Sequence, residues 1–87
     1  MNGGLVTFTS GLTLNIKASS THFSQPAESN GPYTSVEIYG SHKFLTPNAP
    51  DDIHAYVPIR TLFRIIRKEG GIKEGHLPFL DFKGIIL

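Results

Sequence analysis

The chain has 87 residues, 39% of them hydrophobic and 17% charged, with nine glycines and six prolines. That length sets one domain with a modest core, and the composition is that of a folded globular domain, not a disordered one. There is no cysteine, which excludes disulfide scaffolds and thiolate metal sites, and the net charge of +1 is too small to imply a partner by itself.

The opening stretch MNGGLVTFTSGLTL lacks the basic region and continuous apolar run of a secretory signal. No apolar run approaches the roughly 20 residues that a membrane helix needs. The expectation is a soluble, cytoplasmic protein with no membrane association. Charge is unevenly distributed. Residues 1–56 hold Lys17 and Lys43 against Glu28, Glu37, Asp51 and Asp52, a net of −2. Residues 57–87 hold Arg60, Arg64, Arg67, Lys68, Lys73 and Lys83 against Glu69, Glu74 and Asp81, a net of +3.

Residues 5–18 read as a β-hairpin. Leu12, Leu14, Ile16 and Ala18 alternate with Thr13, Asn15 and Lys17, the period of a half-buried strand. The preceding strand, Leu5 to Thr9, is β-branched and aromatic, and Ser10-Gly11 suits a tight turn in which glycine accepts a positive φ. The following SSTHFSQPAESNGP, residues 19–32, is polar and turn-rich. A loop of that length needs an anchor, either Phe23 packed down or a partner, and Phe23 is the expected one. Residues 33–39, YTSVEIY, form a third strand with Thr34, Val36 and Ile38 on one side and Tyr33, Ser35, Glu37 and Tyr39 on the other.

The stretch SHKFLTPNAPDD contains two prolines, which argue against a central strand. Ile53 to Val57 is a short fourth strand or the run into a helix, and Pro58 sits where a first helical turn tolerates it. VPIRTLFRIIRKEGG then carries the one clear helix, over about residues 58–69, stopped by Gly70-Gly71. GIKEGH reads as a turn. LPFLDFKGIIL reads as a final strand with Leu77, Phe79 and Asp81 on one face. It is apolar through Phe82, Ile85, Ile86 and Leu87, and should complete the sheet or cover an interface. The fold class is α+β: one domain over residues 1–87, a small antiparallel β-sheet of four to five strands with one α-helix packed on one face.

At about 100° per residue, Ile59, Leu62, Phe63 and Ile66 fall in one arc of the helix, the expected core face. Arg60, Arg64, Arg67 and Lys68 fall in a second arc beside it, and Ile65 lies in neither, near Thr61. The dipole favours Arg67 and Lys68 at the helix C-terminus. It disfavours Arg60 in the first turn, and Arg60–Arg64 and Arg64–Lys68 are like-charge pairs that each cost a few tenths of a kcal/mol. Two accounts would offset that repulsion. Arg60 could pair internally with Asp51, Asp52 or Glu37. Alternatively the stripe could meet an external anion or acidic protein surface, for which the arginine fork is suited.

Other constellations are weak. Tyr33 and Tyr39 could present rings as binding hot spots or base-stacking platforms, or pack under the loop or tail. His22, His42, His54 and His76 lack metal-site spacing, and Asp51-Asp52-x-His54 reads as turn chemistry, so no metal is expected. No nucleophile elbow, paired-carboxylate arrangement or phosphate-binding loop is present, so no catalytic residue and no cofactor are expected. The RNA-recognition signature is missing, and a single helix cannot make a helix-turn-helix.

These features point to a small non-enzymatic protein-binding module. Its sharpest version is a phage- or mobile-element-encoded inhibitor or adaptor of a larger host complex. The candidate partner-binding residues are Arg60, Arg64, Arg67, Lys68, Ile65, Tyr33 and Tyr39, and the expected partner is another protein with an acidic or nucleic-acid-binding surface. The alternatives are direct nucleic-acid binding through the same helix, and a homodimer in which the apolar tail crosses to a second copy.

Overall fold

A computed structural model describes residues 3–27, 30–47 and 49–81. The apolar tail residues Phe82, Ile85, Ile86 and Leu87, like Lys83 and Glu28, lie outside the described residues. The elements in chain order are β1 (Gly3–Phe8), β2 (Thr13–Lys17), β3 (Ser35–Tyr39), a short 3-10 turn (Pro50–Asp52), β4 (Ile53–Pro58), α1 (Ile59–Lys68) and β5 (Ile72–Glu74). All strand pairs are antiparallel, in the order β4-β3-β2-β1-β5. This is the expected α+β architecture, with five strands and one helix.

The hairpin forms as its sequence dictates. Phe8 N–H donates to Leu12 O at 2.8 Å and Gly11 N–H to Phe8 O at 2.9 Å, with Gly11 at φ +97°. That is a three-residue loop closed by a left-handed glycine. Leu14, Ile16 and Ala18 turn inward as their alternation requires, against Val6 and Phe8 of β1. Val36 and Ile38 of β3 and Val57 of β4 extend the same apolar face.

α1 lays Ile59, Leu62 and Ile65 onto that face, while Phe63 and Ile66 are only partly buried. The expected position of Ile65 is therefore corrected. It is fully buried, and the buried arc is rotated toward Leu62 and Ile65 relative to the arc first drawn. Ile59 enters the helix directly from β4. The helix ends in a Schellman motif: Gly71 N–H donates to Ile66 O at 2.9 Å and Gly70 N–H to Arg67 O at 3.3 Å, with Gly70 at φ +83°.

Two further expectations change. The stretch 72–74 is not part of a turn. It is β5, paired with β1 through Phe8↔Ile72 and Thr7↔Glu74. All three of its side chains are exposed, so main-chain bonds and not burial hold it, and no alternation marks it in the sequence. The tail to Asp81 is not a regular strand. Leu80 makes an isolated parallel bridge to Tyr33, flanked by Tyr33 N–H to Phe79 O and Asp81 N–H to Tyr33 O, both 2.8 Å. Leu80 is buried there and Phe79 is exposed, the reverse of the expected parity. Tyr33 itself is fully buried in the core, packed against the tail at Leu80, the second of its two expected placements, so it leaves the set of candidate partner-binding residues.

The loop after β2 is also anchored differently. Phe23 stays 52% exposed. Ser24, which is buried, donates to Ser19 O at 3.1 Å and accepts from Ser19 N–H at 3.1 Å, and Thr34 N–H donates to Gln25 O at 2.7 Å. Hydrogen-bonded serines hold this segment in place of an aromatic plug.

The rotation of α1 is open to test by urea denaturation. Ile65→Ala should lower the unfolding free energy by about 2–4 kcal/mol, as for a buried apolar side chain, while Arg67→Ala should change it by less than about 1 kcal/mol. Equal small effects would place Ile65 on the surface.

Candidate functional site

Burial of Ile59, Leu62 and Ile65 turns the opposite side of α1 to solvent, and that side carries Arg60, Arg64, Arg67 and Lys68, all exposed. The helix has no acidic residue in its first turn and no side-chain cap at Pro58. Among the described residues the one ion pair is His42–Glu69, so none of these four cations has a carboxylate within ion-pair distance. The internal pairing expected for Arg60 is not formed. Asp51 and Asp52 are exposed in the 3-10 turn, and Glu37 is buried on the far side of the sheet from α1.

The loop between β3 and β4 extends this basic face. Leu45 sinks into the core and pins the loop beside the helix. Phe44 then lies under Arg64, with the guanidinium carbon 4.6 Å from the ring centre, and Lys43 Nζ lies 5.7 Å from the same ring. Each cation–π contact at such an exposed site contributes about 0.5–1 kcal/mol. Stacking holds the Arg64 plane on the ring while its N–H groups remain available for an anion. Sequence reasoning did not single out Lys43 and Phe44. The signal was a basic–aromatic doublet in a proline-bounded loop, but nothing local showed that the loop docks on α1.

A groove of about 500 Å³ opens beside this face. Its walls are the loop from Phe44 to Pro47 and the strand from Ile53 to Pro58, and Thr61 of α1 closes one end. β4 is an edge strand, but Pro58 and a bulge interrupt it, so it is poorly suited to pair with an added strand. In the bulge, Ala55 and Tyr56 together oppose Glu37, and Tyr56 takes φ +52°.

The histidines are structural in geometry. Phe44 N–H donates to His42 Nδ1 at 3.0 Å, so Nε2 carries the proton and donates to Glu69 Oε2 at 2.9 Å. Ser10 Oγ donates to Glu69 Oε1 at 2.6 Å. The carboxylate stands between serine and histidine, so the histidine cannot take the serine proton and no nucleophile is activated. The cluster instead ties the hairpin turn, the β3–β4 loop and the end of α1 together. His22 Nδ1 meets Ser19 Oγ within one turn, and His54 Nε2 donates to Gly40 O at 2.8 Å from a buried position. Among the described residues no three His, Asp or Glu side chains gather as a metal-binding set, and no helix is long and apolar enough to cross a membrane.

Of the residues singled out from sequence, Arg60, Arg64, Arg67 and Lys68 form one surface. Ile65 and Tyr33 are buried and take no part in it. Tyr39 is 39% exposed but lies on the sheet face away from α1, in the cross-strand row with Asn15 and Ile53. Compared with known protein families, curated proteins and solved structures, the chain finds no match.

The Glu69 cluster generates a pH dependence. The Ser10 hydroxyl, and then His42, hold the Glu69 carboxyl below its ordinary value of 4.5. A carboxyl depressed on folding contributes stability in full above the unfolded value and loses it as pH falls through the folded one. Glu69→Gln should therefore lower the urea midpoint near neutral pH, and the gap to wild type should close as pH falls below 4.5. A gap that stays constant down the series would show that the carboxylate charge is not what the cluster uses.

Proposed function

We propose that this protein is a non-enzymatic binding module that docks the exposed face of α1 onto an acidic surface of a larger protein. One observation carries the reading: Arg60, Arg64, Arg67 and Lys68 are aligned on solvent-facing turns with no carboxylate within ion-pair distance among the described residues. The repulsion they create costs stability, and Arg60 at the helix N-terminus adds to that cost. A bound anionic surface removes it. Arg64 on Phe44, with Lys43 beside it, widens the face beyond a single helix stripe.

The arrangement of Ser10, Glu69 and His42, with the carboxylate in the middle, supports a structural and not a catalytic use of the polar residues. The groove next to Thr61 gives such a partner a recess of mixed polar and apolar lining beside the charges. Direct nucleic-acid binding would draw on stacking aromatics together with the cations. Tyr39 lies on the other side of the sheet from α1, which favours the protein partner over a nucleic acid.

The test uses immobilised polyglutamate and a single-stranded oligonucleotide as defined anionic probes, with Arg60→Glu/Arg64→Glu as the variant. Wild type should be retained on polyglutamate, and the variant should bind at least about tenfold more weakly, or about 1.4 kcal/mol. Arg60→Glu alone should also raise stability by about 0.3–1 kcal/mol, because it replaces a disfavoured cation in the first turn with a favoured anion. Loss of binding in a more stable protein separates recognition from folding. Equal retention of wild type and variant would overturn the reading, and strong salt-sensitive retention on the oligonucleotide alone would replace it with nucleic-acid binding.

A further inference from the structure

The sheet face turned away from α1 carries a different set of unmet groups. Three buried side-chain oxygens lack a hydrogen-bond partner among the described residues: Asn15 Oδ1, Ser35 Oγ and Glu37 Oε2. All three residues lie on this face. Ser35 and Glu37 alternate with the core residues Val36 and Ile38, and Asn15 is the cross-strand neighbour of Tyr39. Glu37 is the notable one. It is 3% exposed; one oxygen accepts a long bond, 3.4 Å, from Phe23 N–H, and the Tyr39 hydroxyl is hydrogen-bonded to the carboxylate. Lys17 is its cross-strand neighbour on β2, yet the lysine ammonium does not come within ion-pair distance. A buried carboxylate so poorly satisfied is costly unless a cation answers it.

Exposed aromatic rings surround this carboxylate. Phe23 is 52% exposed, Tyr56 50% and Tyr39 39%. Phe23 and Tyr56 rings are 6.0 Å apart at 57°, and Tyr56 N–H donates to Phe23 O at 2.9 Å. Tyr56 reaches Phe23 because the bulge opposite Glu37 places it at φ +52°, a conformation that a bulky residue adopts only under constraint from its surroundings. Ring faces with a carboxylate beside them are the two attractors that recognise organic cations.

We propose that Phe23, Tyr39 and Tyr56, gathered around Glu37 on the sheet face opposite α1, form a recognition site for a basic side chain, an arginine guanidinium or a lysine ammonium, presented by a partner protein. The cation lies against the ring faces, and the buried carboxylate supplies the opposite charge behind them. Glu37 lies close to Tyr39: its charge, with burial and a side-chain hydrogen bond between the two, raises the pKa of the Tyr39 hydroxyl above the ordinary value of 10.0. The site lies on the sheet face opposite the basic stripe of α1, and Tyr56 also lines the groove at the β4 edge.

The experiment is an aromatic ¹H–¹³C NMR titration of the full chain with Nα-acetyl-arginine amide and Nα-acetyl-lysine amide, with Nα-acetyl-norleucine amide as the neutral probe at matched ionic strength. The Phe23, Tyr39 and Tyr56 ring signals should shift with the cationic probes and not with norleucine. Glu37→Gln should weaken the effect about tenfold. Phe23→Ala, at an exposed loop position, should do the same in a chain whose core signals are unchanged. The relative size of the two cationic responses states whether guanidinium or ammonium is preferred. No selective shift, or an equal response in Glu37→Gln, would overturn the proposal. So would a gain in probe affinity on Lys17→Met, because that neighbouring lysine would then be the occupant.

Discussion

Three side chains of α1, Ile59, Leu62 and Ile65, are driven from water onto one face of a five-stranded sheet, and that contact orients the rest of the surface. The helix is only ten residues long and has neither an acidic first turn nor a side-chain cap. On propensity and capping it would be marginal in isolation. Burial holds it, with each of the three side chains contributing about 1.5–3 kcal/mol. Once those three face inward, helical geometry leaves Arg60, Arg64, Arg67 and Lys68 no place but the outer side. Their exposure follows from the core, while their identity does not. Glutamate or glutamine at Arg60 or Arg64 would satisfy the fold as well or better.

The end of the helix is held by polar groups of distant origin. Glu69 follows the last helical turn and receives Ser10 from the hairpin and His42 from the β3–β4 loop. Main-chain bonds from Thr9 and Ser10 to Gly71 O and Glu69 O, at 2.9 and 3.0 Å, run beside them. These bonds bring β5 against β1 although none of its side chains is buried. The same cluster holds His42, and with it Phe44, next to α1, with the His42 and Phe44 rings 4.9 Å apart. A surface cation, Arg64, thus lies on a ring that the glutamate cluster helps to position.

Elements with a periodic apolar signature were legible in the sequence. The hairpin alternates in register with burial, β3 and the helix show as elements through their apolar repeats although β3 is buried at four of its five positions, and the glycine turns sit where a positive φ is needed. What escaped notice had no periodic signature. β5 is exposed at every position, so nothing in Ile72–Glu74 distinguishes it from a turn. Tyr33 precedes β3 and is drawn into the core by its bridge to Leu80, a contact 47 residues along the chain that no local pattern encodes. Ile65 was misplaced because Ile59, Leu62, Phe63 and Ile66 make an arc as apolar as the true one. The basic stripe itself was legible; the aromatic group around Glu37 was not, since Phe23, Glu37 and Tyr56 meet only when a loop folds over a bulged strand.

The sheet explains why the two sets of charges do not neutralise each other. Arg60 and its neighbours stand beyond α1, and Glu37 stands on the opposite face of β3, with the apolar layer of Leu14, Ile16, Val36, Ile38 and Leu62 between them. Such a layer is about 10 Å thick, more than any side-chain ion pair can span. Sequence alone made Glu37 a reasonable partner for Arg60; alternation along β3 placed them on opposite sides. A domain of this size has little stability in reserve, so unmet charge on either face is a sizeable fraction of it. Any partner that satisfies one of these surfaces binds only the folded chain and therefore also stabilises it. On the proposed readings, recognition and folding would be coupled through the same charged groups, on two faces of opposite sign.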